Sequence, residues 1–234
     1  KSVLTKIIQH YTKEAGVRSL KRHIEMLAAE SALRDEKGRS GKLAATTVTK
    51  LLQLSHIPKD TKPDTIHGLY ATSIGIGGVC AVMVAEKKHD TQHTCATGNL
   101  GDVFKESITI ADLLATNLAK KSKPYHIHIP AASTKKDGPS AGLAITMAMY
   151  AFITGYKPKK DVACTGEVDV HGNVCKIGGL VAKVVGAADA GISLVVIPLS
   201  NKAEYTQYFS QHKLALAVAF VSRVEEAIPL MIHL

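Results

Sequence analysis

The sequence predicts a mixed α/β (α+β) domain preceded by a small, mainly helical subdomain. Three observations carry this reading. Apolar residues near the amino end fall at helical spacing, short β-rich runs later alternate with longer helical ones, and two prolines among alternating charges separate the stretches. The boundaries this implies are a helical part over 1–57, a linker over 58–66 and a main domain over 67–234.

In the first part Val3, Leu4, Ile7, Ile8 and Tyr11 form one stripe. Val17, Leu20, Ile24 and Leu27 form a second after Gly16, and Leu43-Ala44-Ala45 leads into Thr46, Thr47 and a third helix through Leu52. His56 to Asp64 carries the prolines Pro58 and Pro63 and reads as irregular. Beyond it come strand-like runs at 68–86 and 91–97. Helices are expected near 101–121, 140–154, 178–190, 201–211 and 222–231, with strands near 125–130, 161–168, 193–198 and 215–221. Asn201-x-x-Glu204 and Ser222-x-x-Glu225 suit the starts of the last two helices, and Gly191 suits the end of the one before them.

At 234 residues and 46% apolar, the chain can bury a full core, and its length allows one domain or two. Its apolar runs stop short of the roughly 18 residues of a membrane span; the best, Ala141 to Ile153, is interrupted by Thr146. No secretory signal is seen, and no membrane partner is expected. Cys80, Cys95, Cys164 and Cys175 form neither a Cys-x-x-Cys pair nor a disulfide framework, so they read as reduced core thiols of an intracellular compartment. The net charge of +9 lies mostly in the first sixty residues, where 12 Lys or Arg face 6 Asp or Glu. Aromatics make up only 5% of the chain and no groove-reading motif accompanies the charge, so a solvated helical face or nucleotide contacts in a larger assembly fit better than a nucleic-acid module.

Chemistry concentrates in two segments. Lys136-Asp137-Gly138-Pro139-Ser140-Ala141-Gly142 precedes the apolar run from Leu143 to Ile153. A serine between a Gly-Pro bend and a helix start has an exposed side chain, a rigid backbone and nearby N–H groups that can stabilise an oxyanion. Taken alone, Ser-Ala-Gly better suits a tight turn with an N-cap serine. The second segment runs from Gly178-Gly179-Leu180 through Lys183 to Gly191-Ile192. Leu180, Val184, Ala187 and Ala188 follow helical spacing, and Lys183 lies beside that stripe. A lysine there either reaches back to solvent or is desolvated, and desolvation lowers its pKa to where it can accept a serine proton. His126 and His128 share one face of a strand, but no Cys, Asp or Glu at ligand spacing completes a metal site, so no metal is expected.

Together these segments resemble the proteolytic domain of the Lon family of ATP-dependent serine proteases. Five signatures occur in family order: Thr97-Gly98-Asn99-Leu100-Gly101-Asp102-Val103-Phe104-Lys105-Glu106-Ser107, His126-Ile127-His128-Ile129-Pro130, Lys136 to Gly142, Thr165-Gly166-Glu167-Val168, and Gly178-Gly179-Leu180 through Lys183 to Gly191-Ile192. The likeness covers residues 66–225, and a weaker one reaches the amino end. It implies a Lon-type proteolytic domain behind a small helical AAA+ subdomain, with Ser140 as nucleophile and Lys183 as general base of a Ser-Lys dyad. Thr165, Asp137, Ala141, His126 and His128 take supporting positions. Thr165 matches a family threonine that orients the lysine, or caps a strand end. Asp137 braces the loop, or adds a charge that keeps a neighbouring site quiet. The two histidines are structural or face substrate.

Three stretches depart from the family pattern. Lys135 stands where a proline is common, Val181-Ala182 where an acidic-basic pair is common, and Leu69 to Gly78 where a Trp-containing strand is usual. None of these removes Ser140 or Lys183. Glu14-Ala15-Gly16-Val17-Arg18-Ser19-Leu20 is similar to the segment carrying the sensor-2 arginine, so Arg18 is expected to touch ATP phosphates in the full-length assembly. As an alternative, it is simply an arginine on a solvent face. The chain contains no Gly-x-x-x-x-Gly-Lys-Ser/Thr loop and reads as part of a longer protein, with no cofactor of its own and ATP and Mg belonging to the whole.

The resemblance further implies a homo-hexamer, unfolded or damaged polypeptides as substrates, and room for weak nonspecific DNA binding. Reduced cysteines suit a mitochondrial matrix or a bacterial cytoplasm, and the high pI leans towards the matrix. The reading from a different class is a catalytically inactive Lon-like assembly or regulatory module.

Overall fold

The computed structural model describes residues 4, 7, 8, 11, 12, 17–52, 65–73, 75–87, 95–130, 135–211 and 214–234. The linker from His56 to Asp64, the expected strand residues 91–94, Val3 and Glu14-Ala15-Gly16 lie outside them. Contacts divide the chain into two units, Lys1–Lys59 and Asp60–Leu234.

In the first unit Leu4, Ile7, Ile8 and Tyr11 are helical, and Ile7 and Leu52 are buried. Helix α1 spans Arg18–Glu36 and α2 spans Ala45–Leu51. Arg34 ties them by donating to Glu30 one turn back at 2.9 Å and to Thr47 at 3.3 Å. Of the expected stripe, Leu20, Ile24 and Leu27 are helical and Val17 stands just before the helix, but the stripe is not covered: no residue of α1 is buried, and Val17 and Ile24 are exposed.

The second unit is built on a seven-stranded mixed sheet. Its strands are β1 (Ile66–Ala71), β2 (Gly77–Glu86), β3 (Cys95–Thr97), β4 (Tyr125–His128), β6 (Val162–Cys164), β9 (Leu194–Pro198) and β10 (Ala217–Val221), in the order β10-β9-β6-β1-β2-β4-β3. The single apolar run expected over 68–86 is a hairpin. It turns at Thr72, whose N–H donates to Ile76 O and whose carbonyl accepts from Gly75, placing Ala71 opposite Gly77. Two-residue strands β5 (Lys157–Pro158) and β11 (Ile232–His233) pair with each other, as do β7 (Glu167–Val168) and β8 (Val174–Cys175).

One face of the sheet carries α3 (Asp102–Ala119), α4 (Gly142–Thr154) and α7 (Val224–Met231), around a core that includes Ile66, Val82, Ile127, Ile145, Met149 and Val196. The other carries α5 (Leu180–Asp189) and α6 (Lys202–Phe209), around Leu69, Val79, Leu180, Val184, Val195 and Ile197. Alternating strand residues supply the two cores in turn, as in a sheet covered on both sides. The fold is thus a mixed α/β domain following a helical region.

Several boundaries moved for local reasons. The strand expected over 161–168 breaks after Cys164, because the Gly166 N–H leaves the ladder and donates to Ser140 O at 2.9 Å. Helix α7 starts at Val224 with Arg223 as its cap. The acid that closes the cap is therefore Glu226 rather than Glu225, accepting from Ser222 N–H at 2.8 Å, Ser222 Oγ at 3.1 Å and Arg223 N–H at 3.4 Å. Asn201 stands at the N-cap position of α6 and donates to Glu204 at 2.9 Å, but its side chain makes no bond to the helix N–H groups. It is fully buried and clasps Ile177, accepting from its N–H and donating to its carbonyl, both at 3.0 Å. Gly191 does end α5: it is left-handed, its N–H reaches Ala188 O, and Ile192 N–H reaches Ala187 O, the paired bonds of a Schellman motif.

Candidate active site

Ser140 is delivered by a stiff bend. Gly138 is left-handed at φ +103°, Pro139 fixes the next φ, and Pro139–Ala141 form a 3-10 turn before α4 begins at Gly142. Behind it α4 is apolar on every side and buried from Gly142 to Met149, so the serine rests on an element with little freedom to tilt. Its carbonyl is pinned by Gly166 N–H at 2.9 Å and Thr165 Oγ1 at 3.0 Å, and Leu143 N–H donates to Gly166 O at 2.9 Å.

Lys183 comes from the opposite face. Helix α5 lies directly on the β2 backbone: a Cβ on Gly77 would collide with Ala182 O, and one on Gly186 with the Gly77 carbonyl group. This contact drops Lys183 beside the sheet end at 3% exposure, among Leu180, Val184 and Ala187. Its Nζ lies 2.8 Å from Ser140 Oγ and 3.1 Å from Thr165 Oγ1. Of the two fates open to this lysine in the sequence, desolvation is the one realised.

Burial pushes the Lys183 pKa down to about 8, with charge on Cys80 opposing the shift. The Cys80 thiol is itself pushed up to about 11 by burial. It is therefore neutral where Lys183 titrates and does not supply the opposing charge. Proton counting then fixes the polarity of the cluster. The one hydroxyl proton of Thr165, fully buried, is given to Ser140 O, so Thr165 accepts from Lys183. The lone pair of a neutral Lys183 is left to face the Ser140 hydroxyl.

The remaining expected residues lie further out. The Asp137 carboxylate accepts from Gly138 N–H at 3.0 Å and sits 3.5 Å from Lys135 Nζ within the loop, and it packs on Gly101 at the start of α3. Ala141 ends the 3-10 turn, which directs the Gly142 N–H to Pro139 O. With Leu143 N–H engaged by Gly166, two of the donors expected at this helix start are already bonded. His126 Nε2 and His128 Nδ1 both meet Thr97 Oγ1, at 2.9 and 2.8 Å, across the β3–β4 pair. Among the described residues no group of three or more His, Cys, Asp or Glu could hold a metal ion. The four cysteines are free thiols. Arg18 is exposed at the first residue of α1. No helix among the described residues is long and apolar enough to cross a membrane. A cavity of about 460 Å³ at Lys157, Asp161, Val162, Ser193 and His233 lies at the amino ends of β6 and β9, away from Thr165 at the carboxyl end of β6.

Sequence reasoning gave no role to Gly166, Gly77 or Gly186, and read Cys80 only as a core thiol. Gly166 stood inside a recognised signature, but its partner Ser140 is distant in sequence. The glycine contact brings together β2 and α5, and neither segment alone signals it.

Residues 40–233 match the Lon protease (S16) C-terminal proteolytic domain and residues 1–42 the Lon protease AAA+ ATPase lid domain. The join near residue 42 falls before the division at Lys59 seen in the contacts. Among curated relatives, the chain is 33% identical to Lon protease of Phenylobacterium zucineum, over 97% of this chain and 30% of that protein. It is 34% identical to Lon protease of Lawsonia intracellularis, over 97% and 29%. It is also 34% identical to that of Fusobacterium nucleatum, over 96% and 31%. The chain thus spans less than a third of the length of these relatives, all bacterial, and they lend no support to a mitochondrial matrix. Two adjoining domain matches and relatives aligned along nearly the whole chain agree with the geometry above: the chain belongs to the Lon protease family.

Proposed function

We propose that this chain is the proteolytic part of an ATP-dependent serine protease, cutting unfolded or damaged polypeptides through an acyl-enzyme on Ser140. One observation carries the reading: Ser140 Oγ lies 2.8 Å from the Nζ of a buried lysine whose pKa is lowered to about 8. Neutral Lys183 takes the hydroxyl proton as Ser140 Oγ bonds to the peptide carbonyl carbon. The resulting ammonium returns that proton to the leaving amine, and the C–N bond breaks. Water, deprotonated by the same lysine, then releases the acyl group and restores the serine. Thr165 steers the lysine throughout, and His126 and His128 shape the adjoining edge of the sheet.

A hexamer, ATP and Mg belong in this reading to the full-length protein, where Arg18 would meet phosphate. The chain has no phosphate-binding loop, so no chemical step here runs through ATP. The second reading, an inactive assembly or regulatory module, draws on the 3-10 turn, which already uses donors an oxyanion would need.

The test is hydrolysis of a fluorogenic peptide and unfolded casein over about pH 6 to 10, with Ser140→Ala, Lys183→Ala and fluorophosphonate labelling alongside. The protease reading expects loss of at least roughly 1,000-fold in both variants and a rate rising through a pKa near 8. Absence of both cleavage and labelling selects the inactive module.

A further inference from the structure

A loop that presents a nucleophile must be held on both sides of it. On the carboxyl side, Gly166 and Thr165 pin the Ser140 carbonyl. On the amino side, the path from Lys136 to Ser140 is short and stiff, with left-handed Gly138 and the ring of Pro139, so Ser140 goes where Lys136 is held.

Lys136 is held by the segment that follows β3. It makes a parallel bridge with Leu100: its N–H donates to Asn99 O at 3.0 Å and its carbonyl accepts from Gly101 N–H at 2.8 Å. Its ammonium then turns back on the same segment and donates to Gly98 O at 2.7 Å. That segment is itself fixed to the sheet, since Ile129 N–H donates to Thr97 O at 3.0 Å. The ammonium is drawn partly out of water, which lowers its pKa. A directed, charge-assisted hydrogen bond offsets such desolvation.

We propose that Lys136 is a positioning residue: its ammonium clamps the loop to Gly98 and so keeps Ser140 Oγ within proton-transfer distance of Lys183. This rests on the dyad reading above, and it gives Lys136 no contact with the reacting atoms.

The experiment compares Lys136→Met and Lys136→Arg with the wild-type chain in three measurements: the rate of fluorophosphonate labelling of Ser140, kcat and KM for a fluorogenic peptide, and thermal melting. Displacing a nucleophile by about 1 Å costs on the order of 100-fold, so Lys136→Met should slow labelling and lower kcat by about 10- to 100-fold. Its KM should stay within about threefold and its melting near wild type. Lys136→Arg, whose guanidinium can also donate to the Gly98 carbonyl, should recover most of the loss. Labelling of Lys136→Met at the wild-type rate overturns the clamp and leaves the protease reading standing. A loss that follows collapse of the melting transition and is not recovered by arginine also overturns it, because the side chain is then only structural. A wild-type chain that neither cleaves nor labels overturns the protease reading, and the clamp with it.

Discussion

Helices α4 and α5 bring Ser140 and Lys183 together from opposite faces of one sheet, and they are built in opposite ways. Helix α4 has no polar side; even Thr146 is buried and returns its hydroxyl to Gly142 O at 2.8 Å. Helix α5 is one-sided, with Val185 exposed and Lys183 on its buried stripe. The difference suits the chemistry proposed for them. A nucleophile needs a fixed address, which all-round burial gives. A lysine base needs to lose water, and close approach of a helix to a glycine-bearing strand takes it away.

The first prediction tests that approach. Gly186→Val would push α5 off β2, and we expect peptidase activity to fall about 100-fold, with a loss of about 1–3 kcal/mol in chemical denaturation. Wild-type values for both would mean that apolar side chains, and not the backbone contact, locate α5. Next is Lys183→Met. A folded pKa of about 8 against an ordinary value near 10.5 means the buried ammonium opposes folding at pH 7 by about 3 kcal/mol. The unfolded chain binds more protons between these two values, so this penalty is full below pH 8 and fades as pH rises towards 10.5. Lys183→Met should therefore be inactive yet more stable than wild type at pH 7, with the gap closing over that window. A gap that does not change with pH would place the lysine in water.

Smaller effects separate the shared threonine from the scaffold. Thr165→Val removes the bonds to Lys183 and to Ser140 O, and should lower kcat about tenfold and stability by about 1 kcal/mol. Glu226→Ala opens the cap of α7 on the α4 face and should cost about 1 kcal/mol while leaving peptide hydrolysis unchanged. A matching loss of activity there would show that the α4 face is not as stiff as its burial implies.

What the sequence revealed divides along the same line. The bend that presents Ser140 at a helix start and the alternation of strands and helices are local patterns, and both were legible. The direction Lys183 would take was not, because helical spacing puts it beside the stripe and the outcome depends on what lies opposite. Pairings distant in sequence were equally hidden: β5 with β11, and Asn201 with Ile177. Even the α7 cap was set from outside, since Arg223 bridges to Asn173 and the helix starts one residue later than Ser222 suggested.

The contact between Gly77 and Gly186 also acts as a ruler. Where two main chains touch, their separation is set by the van der Waals radii of backbone atoms, which stay the same whichever valines and leucines surround them. The apolar layers of this sheet can therefore drift through many combinations while the lysine nitrogen keeps its reach to the serine.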